Sequence, residues 1–503
     1  MDPDQTATGP LQLGADPAAV AAFVAYLLLI LLIGALSARF SSRGIGNFFV
    51  GGRAMNRWVV AMSAVVSGRS AWLLLGVTGM AWSMGVGAMW AVVGYTVVEF
   101  VLFLTLARRL RRVAGDADCV TLTDVFVARV GDPRGTLRTT LSVVILGFMA
   151  AYVAAQFAGG GKAMAAGFGL TPTAGILLTA GIVLAYTSVG GFLAVSLTDT
   201  LQAAFMIGAL VVIPFLALSA EGGWGAVSAQ VLAADAAFLD PMALGAGALL
   251  GLVAIGLGSP GNPHILVRYM SIDDERNLRF AAFTGTAANV LMGAGAVFIG
   301  IVGRAHFPDV ALLGGDTENL YPMLAAETLP PVLFGVVVAS IFAAIMSTAD
   351  SQLLVGASAV VRDVYEKGMR RGQDVPERTL VALSRAVVVA LVAGALLLGW
   401  VAQDLVFWMV LFAWAGLGAA LGPPLILALY WPGTTRAGVI AGIVTGAVVT
   451  VIWYYTPILR AMVYELVPAF LLATLATVLV SRLTRGTAPH GTGGSNAPAA
   501  LGP

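Results

Sequence analysis

The sequence predicts an all-α polytopic membrane protein with about thirteen transmembrane helices. Of its 503 residues, 59% are hydrophobic and only 11% are charged. Apolar stretches recur along nearly the whole chain, and a helix needs about 20 apolar residues to cross roughly 30 Å of hydrocarbon. These observations exclude a soluble globular protein. The predicted spans are 18–38, 57–83, 86–107, 136–158, 172–190, 197–219, 241–263, 280–303, 330–361, 381–402, 404–430, 435–455 and 461–481.

The basic residues predict how the chain is oriented in the membrane. All but four of the 27 Lys and Arg residues lie beside alternate loops. The exceptions are Lys162, Arg304 and Arg460 in the opposite loops, and Arg69 within a span. By the positive-inside rule, the N-terminus is outside and the C-terminus is cytoplasmic, as an odd number of spans requires. We therefore expect a multi-pass protein of the cell (inner) membrane, with the lipid bilayer as its partner.

The two ends of the chain predict tails rather than further domains. Residues 1–17 contain no basic residue, so the following span lacks the positive flank of a cleaved signal peptide. We expect this segment to be an extracellular or periplasmic tail. Residues 486–503 are rich in Gly, Pro and Ala and predict a disordered cytoplasmic tail.

Arg69 is a cation in the middle of an otherwise apolar span. It lies twelve residues after Arg57, a depth of roughly 18 Å along a helix, which is too far for comfortable snorkelling. A cation at the centre of a helix costs about 2.5–3.5 kcal/mol on insertion scales. Arg69 is therefore expected to face a bundle interior that holds a partner or a site.

Two spans are interrupted by residues that unwind helices. Ser67-Gly68 and Ser70 interrupt the second span, and the seventh span ends in the segment 256–263, GLGSPGNP. The breaks are five spans apart, so the units that begin there cross the membrane in opposite directions. This pattern indicates an inverted-repeat transporter with its site near the midplane, although Gly and Pro in membrane helices also serve packing and kinks.

Several longer motifs resemble the sodium/solute symporter family, most closely its sodium/proline symporter branch. The motifs are 51–58 (GGRAMNRW), 61–64 (AMSA), 72–76 (WLLLG), 190–196 (GGFLAVS), 198–200 (TDT), 263–266 (PHIL), 343–354 (AAIMSTADSQLL), 363–365 (DVY) and 413–416 (AWAG). They occur in order, and the likeness extends over roughly residues 20 to 480.

The resemblance implies a core of five plus five helices in an inverted repeat. The corresponding units are a peripheral first helix at 18–38, a first repeat at 57–219, a second repeat at 241–430 and two peripheral helices at 435–481. It also implies a secondary transporter that imports a small organic solute by alternating access.

The family pattern implies a sodium site between the second and ninth spans. By position, the side-chain oxygens come from Ser347 and Thr348, and the carbonyl oxygens from Ala344, Val66 and Arg69. Hydroxyls and unwound carbonyls suit sodium because they bring no full charge into the membrane. Hydroxyls in membrane helices also commonly bond back to the preceding turn, which is the alternative interpretation of this pair.

Two departures from the family pattern bear on the expected sodium ion. Gly68 stands where the sodium/proline symporters have an aspartate, and Arg69 follows it where an apolar residue is usual. At ~4 Å and an effective dielectric constant near 20, two cations repel by about 4 kcal/mol. One hypothesis is that the Arg69 guanidinium fills or crowds the sodium site and weakens or replaces sodium coupling. The other is that the side chain points away and only the backbone carbonyl of Arg69 matters.

Two acidic residues are candidate partners of Arg69. Glu99 lies on the neighbouring antiparallel span within about one helical turn of the depth of Arg69, where the family normally has a small neutral residue. Asp199 belongs to the family pattern. It either helps a second ion site, as in some relatives, or caps a helix start together with Thr198.

The solute-binding positions are predicted from the resemblance and from one helix end. Ser70 and Ala71 match the solute-facing part of the broken span, and Tyr152 matches a family tyrosine. Where the proline branch has an aromatic pair, the chain has Ile255 and Ser259, and only Pro263 persists, which counts against proline itself. A half-helix start near Ser70, or Arg69 itself, could bind a carboxylate. A small carboxylated solute, such as an amino acid, is therefore the leading class.

Other functions have little support in the sequence. No cluster of histidines and carboxylates has metal-ligand spacing, no nucleophile motif occurs, and Gly159-Gly160-Gly161-Lys162 lacks the context of a phosphate-binding loop. We expect no enzyme, no cofactor, no metal beyond sodium and no nucleic-acid partner. The alternatives to a sodium symporter are a sodium-independent uniporter or exchanger, and a solute sensor that does not transport.

Overall fold

Helices make up nearly all the regular structure in the computed structural model, which describes residues 16–41, 44–401 and 405–485. The first ten helices are α1 Pro17–Ser41, α2 Ile45–Val50, α3 Arg57–Ser67, α4 Thr78–Met84, α5 Met89–Leu104, α6 Leu106–Asp116, α7 Leu122–Val130, α8 Thr136–Phe168, α9 Pro172–Ala220 and α10 Trp224–Ala234. The other ten are α11 Ala246–Ala254, α12 Pro263–Ser271, α13 Asn277–His306, α14 Leu320–Thr328, α15 Pro331–Ser358, α16 Glu377–Val401, α17 Val406–Tyr430, α18 Arg436–Tyr455, α19 Pro457–Met462 and α20 Leu466–Thr484. The tails predicted at the two ends lie almost wholly outside the described residues.

The described helices confirm a polytopic all-α protein but not the count of thirteen spans. Within the described residues, ten helices are long and apolar enough to cross a membrane, or eleven if the bent pair Ala246–Gly261 and Pro263–Ser271 forms one span. The predicted second span is divided, because α3 is only 11 residues long before the chain unwinds. The remainder, Trp72–Leu104, is counted as one apolar stretch by length and composition. Gly85, with φ of 64° and ψ of −145°, interrupts it between α4 and α5, close to the predicted boundary between the second and third spans. By length and composition alone, the described helices therefore give fewer membrane spans than the thirteen that the hydropathy pattern predicts.

The predicted fifth and sixth spans correspond to two helices, Pro172–Ser188 and Gly191–Ala220, that meet at a sharp break within α9. α9 has helical dihedral angles on both sides of Gly191, whose φ of 58° and ψ of −166° break the helix there. A positive φ is strained for residues with a side chain, so glycine suits this position. The predicted division between the spans 172–190 and 197–219 thus lies at this break, and the second helix begins a few residues earlier than predicted.

Helices outside the two broken segments surround a common core. α1 packs on α9 and α15, and at the other end of the chain α18 and α20 pack on each other and on α17. Every residue of α15 from Val337 to Leu354 is buried. Ala344, Ser347 and Thr348 of the predicted ion site therefore lie within a continuous buried stretch of this helix.

The two broken segments are also tied together through the backbone. Met55, just before α3, pairs with Ile272, just after α12, in a parallel bridge. The Met55 amide donates to the Ser271 carbonyl at 3.1 Å, and the Asp273 amide donates to the Met55 carbonyl at 3.0 Å. This bridge fixes the relative positions of the helices that carry the two breaks.

Glycines allow α5 to approach the second break closely. A Cβ atom at Gly94 would lie 2.1 Å from the Val253 carbonyl oxygen, and one at Gly256 would lie 2.3 Å from the Gly94 carbonyl oxygen. Real Cβ atoms are not found at such distances, so the contact depends on the missing side chains.

We expect Gly94→Ala to destabilise the protein by about 1–3 kcal/mol, because the added methyl group forces the two backbones apart. The measurement is the Tm of the detergent-solubilised protein. Gly181→Ala is the matched control, since a Cβ there would meet nothing within 4 Å. Equal Tm values for the two variants would contradict the close approach.

Candidate ion and solute site

The first break lies between α3 and the helix that begins at Ser70. The Gly68 amide donates to the Val65 carbonyl at 3.1 Å, and the Arg69 amide donates to the Val66 carbonyl at 3.0 Å, so the last turn of α3 tightens. Ser70 then takes a positive φ of 41°, which is unusual for a residue with a side chain. This reversal turns the chain out of the first half-helix and leaves peptide groups for other elements to satisfy.

Two hydroxyls of α15 meet these freed peptide groups. The Ser347 hydroxyl donates to the Val66 carbonyl at 3.3 Å and to the Ala344 carbonyl at 3.1 Å. The Thr348 hydroxyl donates to the Ser67 carbonyl at 3.0 Å. The back-bonding interpretation therefore accounts for only one of the three bonds, and the hydroxyls join α15 to the break.

The structure adds one carbonyl to the predicted positions. Ser67 presents its carbonyl to the Thr348 hydroxyl. The Arg69 carbonyl accepts from the Leu73 amide at 3.0 Å, because it already belongs to the first turn of the next half-helix. The oxygen-rich cluster, named here the hydroxyl site, consists of Val66, Ser67, Ala344, Ser347 and Thr348.

The Arg69 side chain forms a second cluster with Glu99, Asn289 and Tyr95. Its Nη2 donates to Glu99 Oε2 at 3.1 Å, and its Nε donates to Asn289 Oδ1 at 2.8 Å. The guanidinium carbon lies 3.4 Å from the centre of the Tyr95 ring, a cation–π arrangement. The Asn289 amide also donates to Glu99 Oε2, so both charged groups are held.

The ion pair decides how Arg69 affects the hydroxyl site. The Arg69 and Glu99 side chains are only 4% and 1% exposed, and their opposite charges cancel within one contact. The guanidinium bonds to Glu99 and Asn289, and within the described residues it has no hydrogen bond to Ser347 or Thr348. Of the two hypotheses, this geometry favours the one in which the Arg69 side chain points away. The repulsion of a sodium ion by an unpaired cation is thereby greatly reduced.

The absence of a side chain at position 68 has a steric explanation in this structure. A Cβ atom at Gly68 would lie 2.1 Å from the Tyr95 hydroxyl oxygen and 3.0 Å from Ile265 Cδ1. Tyr95 therefore fills the space that a side chain at position 68 would need. The same tyrosine also covers the Arg69 guanidinium.

Asp199 lies in a third cluster, fully buried on α9. Its Oδ2 accepts from the hydroxyls of Ser63 at 2.5 Å and Ser67 at 3.3 Å, and from Arg268 Nη2 at 3.1 Å. The capping alternative is wrong, because Thr198 and Asp199 lie inside the helix and the Thr198 hydroxyl bonds back to Ala194 and Val195.

Arg268 is the charged residue whose observed position differs most from the position predicted from the sequence. It was predicted to flank a cytoplasmic loop, but its side chain is 1% exposed and reaches Asp199. Its Nε donates to the Ser63 hydroxyl at 3.0 Å, and other guanidinium nitrogens donate to the His264 carbonyl and the Ser351 hydroxyl. A buried arginine paired in this way occupies the position of the possible second cation.

Three of the predicted solute positions lie together at the start of the second half-helix. The Ser70 hydroxyl accepts from the Trp72 amide at 3.1 Å, and the Ala71 amide donates to Gln156 Oε1 at 3.0 Å. Tyr152 is 1% exposed, and its side chain lies beside that of Ser70. Ser70, Ala71 and Tyr152 are thus brought together, with Gln156 as an additional neighbour.

The other three predicted solute positions lie on the second break, between α11 and α12. The Ile255 carbonyl accepts from Trp414 Nε1 at 2.8 Å, and Pro263 is the first residue of α12. The Ser259 hydroxyl is buried, and it has no hydrogen-bond partner within the described ranges. The Tyr152 ring lies 5.9 Å from that of His264, the residue that follows Pro263, so Tyr152 lies near the start of α12 as well as near Ser70.

Four aromatic rings form a continuous stack beside the first break. The ring centres of Phe407 and Trp72 are 6.1 Å apart, those of Trp72 and Tyr95 are 6.4 Å apart, and those of Tyr95 and Trp414 are 5.3 Å apart. Phe407 also lines a cavity of about 640 Å³ at the end of the bundle near Met84 and Leu405. The aromatic stack therefore lies between this cavity and the Arg69 cluster.

The opposite end of the bundle is closed. The cavity there, lined by residues that include Arg268, Ser351 and Asp363, has a volume of only about 20 Å³. Arg138 bridges Asp124 at 2.6 Å and Asp363 at 2.7 Å on this side. In this conformation, the cavity near Met84 and Leu405 is therefore much larger than the cavity near Arg268 and Asp363.

Sequence reasoning missed several buried polar residues of these clusters. They are Ser63, Tyr95, Gln156, Arg268, Asn289 and Ser351. A polar residue inside an apolar span is expensive and usually has a partner, so this rule would have found Asn289 and Gln156. It would not have assigned their partners, which lie far away in the sequence.

Comparison with known proteins agrees with this fold. The model of the sodium:solute symporter family matches residues 48–446. A sodium/proline symporter of Staphylococcus aureus strain JH9 is 34% identical over 478 residues, which are 92% of this chain and 91% of that protein. The sodium/proline symporter of strain NCTC 8325 has the same identity and coverage.

Two solved structures share the fold at low sequence identity. A Na⁺-coupled sialic acid symporter in a substrate-bound outward-open state has a TM-score of 0.78 at 16% identity, over 94% of this chain and 98% of that one. A nucleobase-cation-symport-1 family transporter in a closed conformation with bromovinylhydantoin bound has a TM-score of 0.51 at 15% identity, over 87% and 95%.

The chain belongs to the sodium:solute symporter family. It is accordingly a membrane transporter rather than an enzyme, and its fold is the inverted-repeat fold of sodium-coupled symporters.

We expect Arg69→Met and Glu99→Gln to destabilise the protein by about 3–5 kcal/mol each, because either change leaves one buried charge without its partner. The double variant should recover most of that loss. The measurement is a double-mutant cycle on the Tm of the solubilised transporter. Additive losses in the double variant would contradict a neutralising pair.

Proposed function

We propose that this transporter imports a small carboxylated solute, such as an amino acid, together with sodium that binds at the hydroxyl site. One observation carries the proposal: Ser347 and Thr348 reach the carbonyls of the broken helix while the charge of Arg69 is paired with Glu99. Hydroxyl and carbonyl oxygens are hard, uncharged donors that suit sodium. The alternatives without sodium coupling lose their main support, because the guanidinium does not contact these oxygens.

Sodium at this site would couple the two half-helices to α15. The oxygens of Val66 and Ser67 belong to the break, and those of Ser347 and Thr348 belong to a different element. A cation between them favours the arrangement in which both are close, and a ligand shifts a conformational equilibrium only by such differential contacts. Sodium binding therefore favours one state of the bundle and of the neighbouring solute positions.

Asp199 enters the proposal in a conditional form. The Asp199 carboxylate and the hydroxyls of Ser63, Ser67 and Ser351 provide oxygens for a second cation. Arg268 already neutralises that carboxylate. A second sodium ion binds there only in a state in which the guanidinium has moved away.

A carboxylated solute is supported by relatives and by chemistry. The relatives from Staphylococcus aureus are named sodium/proline symporters. In this chain the start of a half-helix lies at Ser70 and Ala71, and helix starts favour negative groups. Ile255 and Ser259 give less ring-stacking surface than an aromatic pair, so we include carboxylated solutes other than proline in the proposal.

The proposed import follows from alternating access. The bundle is open near Met84, Leu405 and Tyr454, which belong to the predicted outer side, and closed near Arg138 and Asp363 on the predicted inner side. Solute and sodium would enter through the larger cavity, pass the aromatic stack and leave after the inner side opens.

We expect Ser347→Ala and Thr348→Ala each to weaken the apparent affinity for sodium at least tenfold, because a lost ligand worth about 1.4 kcal/mol corresponds to that factor. The measurement is the sodium dependence of solute uptake into proteoliposomes, first with proline and then with a panel of small carboxylated solutes.

Ser340→Ala is the matched control for this experiment. Ser340 lies on the same helix and donates to the Val337 carbonyl at 2.7 Å, outside the hydroxyl site. Uptake by the wild type that is independent of a sodium gradient would reject the coupling and favour a uniporter or exchanger. Solute binding without any uptake or counterflow would favour a sensor.

We expect single cysteines on opposite loops to label from opposite sides of the membrane. Ala236→Cys should react with an impermeant maleimide in intact cells, and Asp374→Cys should react only after the cells are opened. The native Cys119 is buried, and burial raises the pKa of its thiol to about 12, so background labelling is low. The reverse pattern would reject the proposed outside N-terminus and cytoplasmic C-terminus.

A further inference from the structure

Gln156 lies against the first break and is fully buried. Its Oε1 accepts from the Ala71 amide at 3.0 Å. Its Nε2, in contrast, has no hydrogen-bond partner among the described residues. A buried amide nitrogen without a partner is costly and calls for an explanation. One half of this side chain is therefore fixed to the break, and the other half offers a donor that the protein itself does not use.

The local structure explains why Gln156 reaches the break. Gly159 lies three residues later on the same face of α8, and a Cβ atom there would be 2.9 Å from Ala71 Cβ. The missing side chain lets α8 approach the break closely. The next two glycines serve helix packing as well, because Cβ atoms at Gly160 and Gly161 would lie 2.3 Å from Thr179 Oγ1 and 2.7 Å from Ile176 Cγ1.

Gln156 shares its helix face with a predicted solute residue. Tyr152 lies four residues earlier, one turn along α8, so both side chains project to the same side. Tyr152 interacts with Ser70, and Gln156 interacts with Ala71. These two residues of α8 therefore cover two successive residues at the start of the second half-helix.

The electrostatics of the site leave solute recognition to uncharged donors. The charge of Arg69 is paired with Glu99 and that of Arg268 with Asp199, so neither guanidinium brings an unpaired charge to the site. Arg69 keeps one nitrogen, Nη1, without a hydrogen-bond partner among the described residues. The half-helix that begins at Ser70 still directs its positive end toward this position. A carboxylate placed there needs hydrogen-bond donors, and Gln156 Nε2 is a donor already oriented by the bond between Oε1 and the Ala71 amide.

We infer that Gln156 is a specificity-determining residue that donates from Nε2 to the carboxylate of the transported solute, while its Oε1 stays bound to the Ala71 amide. The inference rests on the proposed function and deepens it. It assigns the selection of a carboxylate over a neutral carboxamide to one side chain that touches the solute.

The decisive variant is Gln156→Glu, because it keeps the size of the side chain and the acceptor for the Ala71 amide. It replaces the Nε2 donor with a negative oxygen. We expect the affinity for L-proline, or for another carboxylated solute that the wild type binds, to fall at least a hundredfold. The affinity for the matching carboxamide, L-prolinamide in the case of proline, should rise, because an amide can donate to the new carboxylate.

Two further variants separate recognition from folding. Gln156→Met removes the donor without adding charge, and the loss of one hydrogen bond to a charged acceptor should weaken carboxylate binding about tenfold to a hundredfold. Gln352→Glu introduces an acid in place of another fully buried glutamine, on α15. It should keep the wild-type preference for the carboxylate over the carboxamide.

The experiment measures binding of the acid and amide probes by thermal stabilisation of the full-length solubilised protein, with Tm as the check on folding. A reversed preference in Gln156→Glu alone supports the inference. An unchanged preference in a folded Gln156→Glu variant overturns it and leaves the proposed function intact. If the wild type binds no carboxylated solute of the panel, both are overturned. If Gln156→Glu does not fold, the ratio of the affinity for the acid to the affinity for the amide is measured in Gln156→Met instead. A lower ratio than in the wild type supports the inference, and an unchanged ratio overturns it.

Discussion

The fold depends on satisfying two stretches of backbone that leave helical geometry inside apolar spans. Hydrocarbon offers no water to pair with these peptide groups, so partners must come from other elements of the protein. The hydroxyls of Ser347 and Thr348 and the amide of Gln156 serve the first break. The Trp414 indole and the Asn262 side chain serve the second, through the carbonyls of Ile255 and Gly258. The groups that stabilise the breaks are thus the same groups that a small ion or solute would contact.

Buried charge is handled by a second constraint of the same kind. Each of the arginines Arg69 and Arg268 meets a carboxylate from a different helix, and each is also held by a neutral polar side chain. Such pairs seldom add stability over apolar packing, but removing one partner is costly. They therefore specify which helices are adjacent. Arg69 and Glu99 do so next to the aromatic stack, and Arg268 and Asp199 do so at the closed end.

The sequence predicted the class of fold, the positions of both breaks and most of the polar candidates, because these follow from hydropathy, glycine and proline content, and long motifs. It did not predict that the Thr348 hydroxyl meets Ser67, since the choice of carbonyl depends on where the chain reverses at Ser70. It placed Arg268 at a loop because an arginine near a span end looks the same whether it snorkels or turns inward. Gln156 could be seen as an unusual polar residue, but its contact with Ala71 depends on the close approach at Gly159.

The contact between Arg69 and Glu99 also has an electrical consequence. A single elementary charge that crosses the full membrane potential changes its energy by about 2.3 kcal/mol per 100 mV. Opposite charges 3.1 Å apart that move together carry almost no net charge through the field. An unpaired arginine at this depth would act as a voltage sensor and make the rocking of the bundle depend on the potential. Any net charge that this protein moves through the field must therefore come from groups other than the Arg69–Glu99 pair.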